Sequence, residues 1–176
     1  MSESNTMGVA SISRPNIGDL QRNYLWEIKL PSIVGGGDSS AVELLAQDVI
    51  FGDYSINTPG ILRVGALQSF YAGLLTIPNF QVIFLVPSPN ILADYLDAWK
   101  SLIVGPDGLF SVKSKYQNDI YVRFLNTAGS ITGQYKCIGC FPTIFPVYNL
   151  AYSTNKFATV RILFALDKIE YTDLSS

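Results

Sequence analysis

The sequence predicts a mainly β domain, an antiparallel barrel or sandwich with one α-helix on its flank. Three observations predict it. Apolar and polar residues alternate at period two in several separate stretches, as strands with one buried face require. A single stretch repeats its apolar residues at three- and four-residue spacing, as a half-buried helix does. Charged residues make up only 15% of the chain against 48% apolar, which places unusually little polar surface on a chain of 176 residues.

The elements follow in order. Residues 1–16, rich in Ser and Asn with an acid at Glu3, read as a flexible arm, and 17–176 as one β domain. Asn23–Leu30 is the first strand, with Tyr24, Trp26, Ile28 and Leu30 on one face and Asn23, Glu27 and Lys29 on the other. Pro31 ends it, and Ser32–Ser40 with Gly35, Gly36 and Gly37 is an open loop. Ala46–Asn57 is a second strand, alternating Val49 and Phe51 against Ile50 and Tyr54. The span of about 54–78 reads as a hairpin projecting from the body. Its apolar residues Tyr54, Ile56, Ile61, Val64, Leu67, Phe70, Tyr71, Leu74 and Leu75 are more than a monomer of this size covers easily, and all but Leu75 are taken as candidates for contact between subunits. A strand pair tucked into the core is the alternative.

Phe80–Val86, continuously apolar, is a strand covered on both faces. The helix is Ser88–Ile103, with a stripe of Ile91, Leu92, Tyr95, Leu96, Trp99, Leu102 and Ile103. Ser88 serves as its N-cap, Pro89 stands in the first turn, and Gly105-Pro106 stops it. Three strands remain: Asp119–Leu125, Thr132–Ile138 and the long Lys156–Tyr171, which points Val160, Ile162, Phe164 and Leu166 inward with Arg161 opposite. A short strand at Tyr148–Tyr152 joins the last through a turn at Ser153-Thr154-Asn155.

Composition narrows the function classes. No apolar run approaches the roughly 18 residues that a spanning helix needs, so no membrane anchor is expected. The first residues carry no signal-peptide pattern, which places synthesis in a cytoplasm where thiols stay reduced. A net charge of −2 offers nothing attractive to nucleic acid. The chain has no histidine, the commonest general base and metal ligand.

Cys137 and Cys140 are the sharpest candidates for chemistry. Two cysteines without histidine are too few for a zinc site. A redox pair wants a helix N-terminus, whereas strand precedes this pair and a Pro-bracketed turn follows. Residues three apart on a strand point to opposite faces, which argues against a local disulfide. The pair therefore reads as structural, with a disulfide between neighbouring chains as the alternative. The Gly35–Gly37 run lacks the lysine of a phosphate loop. Asp94 and Asp97 share a solvated helix face. No enzyme is expected, and no cofactor or metal.

Four marks, in order, carry a family resemblance: Arg14-Pro15-Asn16 before a strand holding Glu27-Ile28; Asp97-Ala98-Trp99 in the helix; Gly139-Cys140-Phe141-Pro142-Thr143; and a final strand with Phe164-Ala165-Leu166-Asp167. Together they span roughly residues 14–171, and the chain resembles the tail tube protein of contractile-tailed bacteriophages. The resemblance implies a tail-tube-like fold whose copies form hexameric rings, their sheets joined into one inner barrel, stacked as a conduit for DNA ejection. It implies as partners the chain itself, the tail sheath, baseplate and tube-terminating proteins, and genomic DNA passing without specific binding. It implies a location in the virion tail after assembly in the host cytoplasm. Gly139, Phe141, Pro142 and Pro146 then form a structural corner, with Cys140 where the resemblance calls only for an apolar residue. Glu27 and Asp53 are candidate lumen carboxylates. The alternatives are a tube-initiating baseplate protein, the tube protein of a secretion or injection machine, and a monomeric ligand-binding β-barrel.

Overall fold

A computed structural model describes residues 24–62, 68–145 and 157–174. Its elements are β1 (Trp26–Lys29), α1 (Ser39–Glu43), β2 (Ala46–Phe51), β3 (Ser55–Ile56), β4 (Gly60–Leu62), β5 (Gln68–Phe70), β6 (Leu75–Thr76), β7 (Phe80–Leu85), α2 (Ile91–Ile103), α3 (Lys113–Tyr116), β8 (Asn118–Leu125), β9 (Ile131–Pro142), β10 (Thr159–Ala165) and β11 (Lys168–Asp173). The expected arm at 1–16, Arg14-Pro15-Asn16, Val64 and Leu67, Pro146, and the strand and turn at 148–155 lie outside the described residues.

The main sheet is antiparallel and runs β1-β8-β9-β10-β7-β2, with β11 also paired to β9. The mainly β class with a flanking helix therefore holds, but the sheet is open rather than closed into a barrel. β1 and β2 stand at its two ends unpaired with each other, and a cleft lined by both lies between them. β9 binds the assembly together. Its first part pairs with β8 and β11, and its last residues, Phe141 and Pro142, pair with β10.

The core lies where the apolar faces meet. Phe80, Val82 and Phe84 of β7 are buried and pack beside Val160, Ile162 and Phe164 of β10. Ile28, Ile120, Val122 and Cys137 supply the β1-β8-β9 side. Helix α2 seals the core with Leu92, Tyr95, Leu96 and Trp99, all buried. The Trp99 ring lies 5.9 Å from that of Phe164, and its Nε1–H donates to the Tyr116 carbonyl at 2.8 Å, which gives the buried indole its required partner.

Several boundaries differ from the sequence expectation. Helix α2 begins at Ile91, capped by Asn90 rather than Ser88, because the Asn90 side chain accepts the Ala93 N–H at 3.2 Å. The stretch 46–57 breaks into β2 and β3 at Gly52, where an added Cβ would stand 2.8 Å from the Pro78 side chain. The final strand divides into β10 and β11 around Leu166 and Asp167, where it follows a bend in β9. Two short helices, α1 and α3, were not expected. Asp38 caps the first by accepting the Ser40 N–H, and the glycine loop before it packs on α2, with Gly36 against the Tyr95 ring.

Beyond Phe51 and Phe80 the paired strands continue as a nested ladder. Ser55 stands opposite Thr76 and Ile56 opposite Leu75, then Gly60 opposite Phe70 and Leu62 opposite Gln68. Tyr54, Ile56, Phe70, Tyr71, Leu74 and Leu75 on this hairpin are all exposed, Leu74 at 76%, rather than tucked into the core.

Candidate functional site

The cysteine pair sits at a β-bulge. Asn118 stands opposite Cys140 and Ile120 opposite Cys137, so one residue of β8 faces two of β9. The extra residue is accommodated by Gly139 at φ +69°, a left-handed conformation that glycine adopts without strain. A Cβ there would also collide with the Asp167 carboxylate, which is held by an ion pair to Lys113. The bulge corrects the sequence argument about faces: Cys137 and Cys140 are both fully buried, and the Cys140 thiol donates to the Cys137 carbonyl at 3.2 Å. The Cys137 side chain and burial push the Cys140 thiol well above its ordinary range. Both are free thiols. β9 continues through this point to Pro142 instead of ending at Ile138, and Pro142 is buried opposite Phe164.

The polar face of the β1-β8-β9-β11 layer carries a run of ion pairs, two across neighbouring strands (β1–β8 and β8–β9), one along β11 and one from β1 to α1. Arg123 bonds Glu27 at 3.1 Å, Lys136 bonds Asp119 at 3.0 Å, Lys168 bonds Glu170 at 2.6 Å, and at the border Lys29 bonds Glu43 at 2.9 Å. The carboxylates hold Lys29, Lys136 and Lys168 above the usual ammonium range, and Lys168 lowers Glu170. Glu27 is therefore paired rather than an isolated negative charge, and Asp53 lies in the exposed connection from β2 to β3. Cation and carboxylate alternate over this face, so its net field is weak.

The two ends of this layer are the feature that composition did not reveal. The Leu125 N–H donates to the Leu25 carbonyl at 3.0 Å, which turns odd-numbered residues of β1 toward β8 and leaves Trp26 and Ile28 with outward backbone groups. Alongside them runs a cleft of about 470 Å³, lined by Tyr24 and Trp26–Lys29 on one side and by Glu43, Leu44 and Ala46–Asp48 on the other. Leu30, next outward, donates its N–H to the Glu43 carboxylate at 2.9 Å. At the other end the Leu174 N–H donates to Thr132, so Ile169 and Tyr171 of β11 face outward. There the Ile169 N–H meets the Tyr54 hydroxyl at 3.1 Å.

Among the described residues no cluster of three or more His, Cys, Asp or Glu is placed to hold a metal ion, and no helix is long and apolar enough to cross a membrane. Asp94 and Asp97 are exposed on α2 beside an open groove. Of the sequence-predicted contact candidates, Tyr54 sits at the hairpin base beside β11, Ile56 and Ile61 lie in β3 and β4, and Phe70, Tyr71 and Leu74 lie on the returning arm.

No protein-family model and no curated protein matches the chain. Solved structures do. A chain of the anti-feeding prophage cap, a tube terminating cap, aligns with TM-score 0.69 at 14% identity over 94% of this chain and 99% of that one. A chain of the sheath-tube complex of the extracellular contractile injection system PVC, in its extended state, aligns with TM-score 0.65 at 17% identity over 93% and 99%. A chain of the sheath/tube terminator of the same system gives 0.66 at 15% over 89% and 99%. The likeness is one of fold, over nearly the whole length of each chain.

Proposed function

We propose that the chain is a structural subunit of the inner tube of a contractile-tail machine: six copies close into a ring, and rings stack inside a sheath between a baseplate and a terminator. The observation that carries this reading is the pair of matched edges on one layer. β1, β8, β9 and β11 alternate in direction, and their number is even. Copies related by rotation about an axis roughly along the strands therefore bring β1 of one beside β11 of the next in the antiparallel sense, and the alternation never breaks. Faces agree as well. Ile169 and Tyr171 continue the side of Trp26 and Ile28, while Lys168 and Glu170 continue the side of Glu27 and Lys29. Ring closure leaves neither edge unpaired, which is the usual protection against uncontrolled strand addition.

The likeness in fold to chains of a sheath-tube complex and of tube terminators supports the same reading. The exposed hairpin then meets the ring above or below. The narrower reading, a bacteriophage virion tail that conducts genomic DNA, rests on the sequence resemblance. In it the polar face lines the channel, and its paired charges let DNA pass without specific binding. Sedimentation of the purified chain over a range of concentrations, with negative-stain images, tests the reading. Rings or tubes are expected; a 19.3 kDa monomer at every concentration overturns it.

A further inference from the structure

We propose that Tyr54 guards the joining edge of β11 and thereby couples the lateral addition of copies to the position of the hairpin. The inference rests on the tube reading and concerns how that assembly is regulated. The Ile169 amide is an outward donor of β11, and a carbonyl of a neighbour's β1 would accept from it if the sheet continued into the next copy. In the single chain the Tyr54 hydroxyl already occupies that place, at 3.1 Å. A phenol oxygen and an incoming strand compete for the same N–H, so joining requires Tyr54 to leave.

Tyr54 does not belong to the sheet it guards. It stands in the unpaired neck 52–54, between the β2–β7 ladder and the β3–β6 ladder. Beside it lies a cavity of about 190 Å³ lined by Phe51, Gly52, Tyr54, Tyr135 and Ile169, largely apolar, which gives the ring room to be repositioned. Past the neck the hairpin exposes Ile56, Phe70, Leu74 and Leu75, the surface another copy would cover. Engagement of the hairpin therefore moves the element that carries the guard. A copy docked by its hairpin on an existing ring opens its β11 edge, whereas a copy free in solution keeps it shut. Among the described residues no side chain caps the outward amides of Trp26–Lys29 in the same way, Glu43 reaching only the Leu30 N–H beyond the strand's last residue. One guarded edge suffices to slow ring formation away from a template.

Tyr54→Phe tests this, because it removes the hydroxyl and keeps the ring. The variant is expected to assemble from pure monomer at a concentration roughly two- to tenfold lower than the parent, the range of one lost hydrogen bond, and to narrow the gap between seeded and unseeded assembly, with preformed parent particles as seeds. Amide exchange at Ile169 is expected to accelerate in the unassembled variant. If the parent assembles and the variant's onset is unchanged, the guard is overturned and the tube reading stands. If parent and variant both stay monomeric at all concentrations, the tube reading itself fails.

Discussion

At Cys137 and Cys140 the chain keeps two thiols inside the fold, and their titration gives a measurable consequence. The Cys140 thiol is raised above its ordinary value of 9.0 by the Cys137 side chain and by burial. Below about pH 9 the folded and unfolded chains both hold this proton, and its contribution to stability is fully present. Above pH 9 the unfolded thiol ionises while the folded one does not, so stability falls, by up to about 1.4 kcal/mol per pH unit. Buried Tyr95, raised mainly by burial from 10.0, adds to the loss above pH 10. Urea unfolding at pH 8, 9 and 10 should show the decline, and Cys140→Ala should flatten the interval from 9 to 10. A parental profile flat from 8 to 10 would contradict the burial described. Spacing alone misled here, since three-residue separation implies opposite faces only in an unbroken strand, and Gly139 at φ +69° breaks it.

Among the elements, legibility followed length. Helix α2 has enough turns for its stripe from Leu92 to Trp99 to stand out in the sequence and to fall on the core as expected. α1 and α3, of five and four residues, are too short for periodicity. α1 is fixed by its own Asp38 cap and by the Leu30 N–H donating to Glu43, and α3 by the Trp99 indole donating to the Tyr116 carbonyl. The strands around Ile28, Val122 and Ile162 were readable because each buries one alternating set. Phe80–Val86 was expected to be covered on both faces, but only Phe80, Val82 and Phe84 are buried, while Gln81, Ile83 and Leu85 are half-buried. The edge contacts of Glu43 and Tyr54 were not readable, since they join residues 13 and 115 positions apart through single side-chain bonds. The hairpin belongs to this scale too. Leu74, at 76% exposure, contributes little to the single chain, so Leu74→Asp should change unfolding free energy by less than about 0.5 kcal/mol. The same substitution should suppress stacking of rings under conditions where the parent forms tubes, as read by light scattering. Parental tube growth in this variant would remove the hairpin from the axial contact.

At the scale of the whole molecule, the open sheet is the fact from which the rest proceeds. Low charge pointed to surfaces covered by partners, and a barrel was the natural closure for so many alternating strands. The molecule instead leaves β1 and β11 as the outer strands of one layer with matched faces, and in the proposed tube closure would pass from the chain to the ring. A strand edge of this kind is tolerated when it is short, charged or guarded. Here β1 spans four residues, β11 carries Lys168 and Glu170, and Tyr54 covers one amide. The most direct test is cryo-electron microscopy of the assembled particle at a resolution that separates strands. The predicted result is a closed ring in which β11 of each copy hydrogen-bonds β1 of the next, with Tyr54 withdrawn from Ile169. A ring whose β1 and β11 edges both face solvent would contradict it.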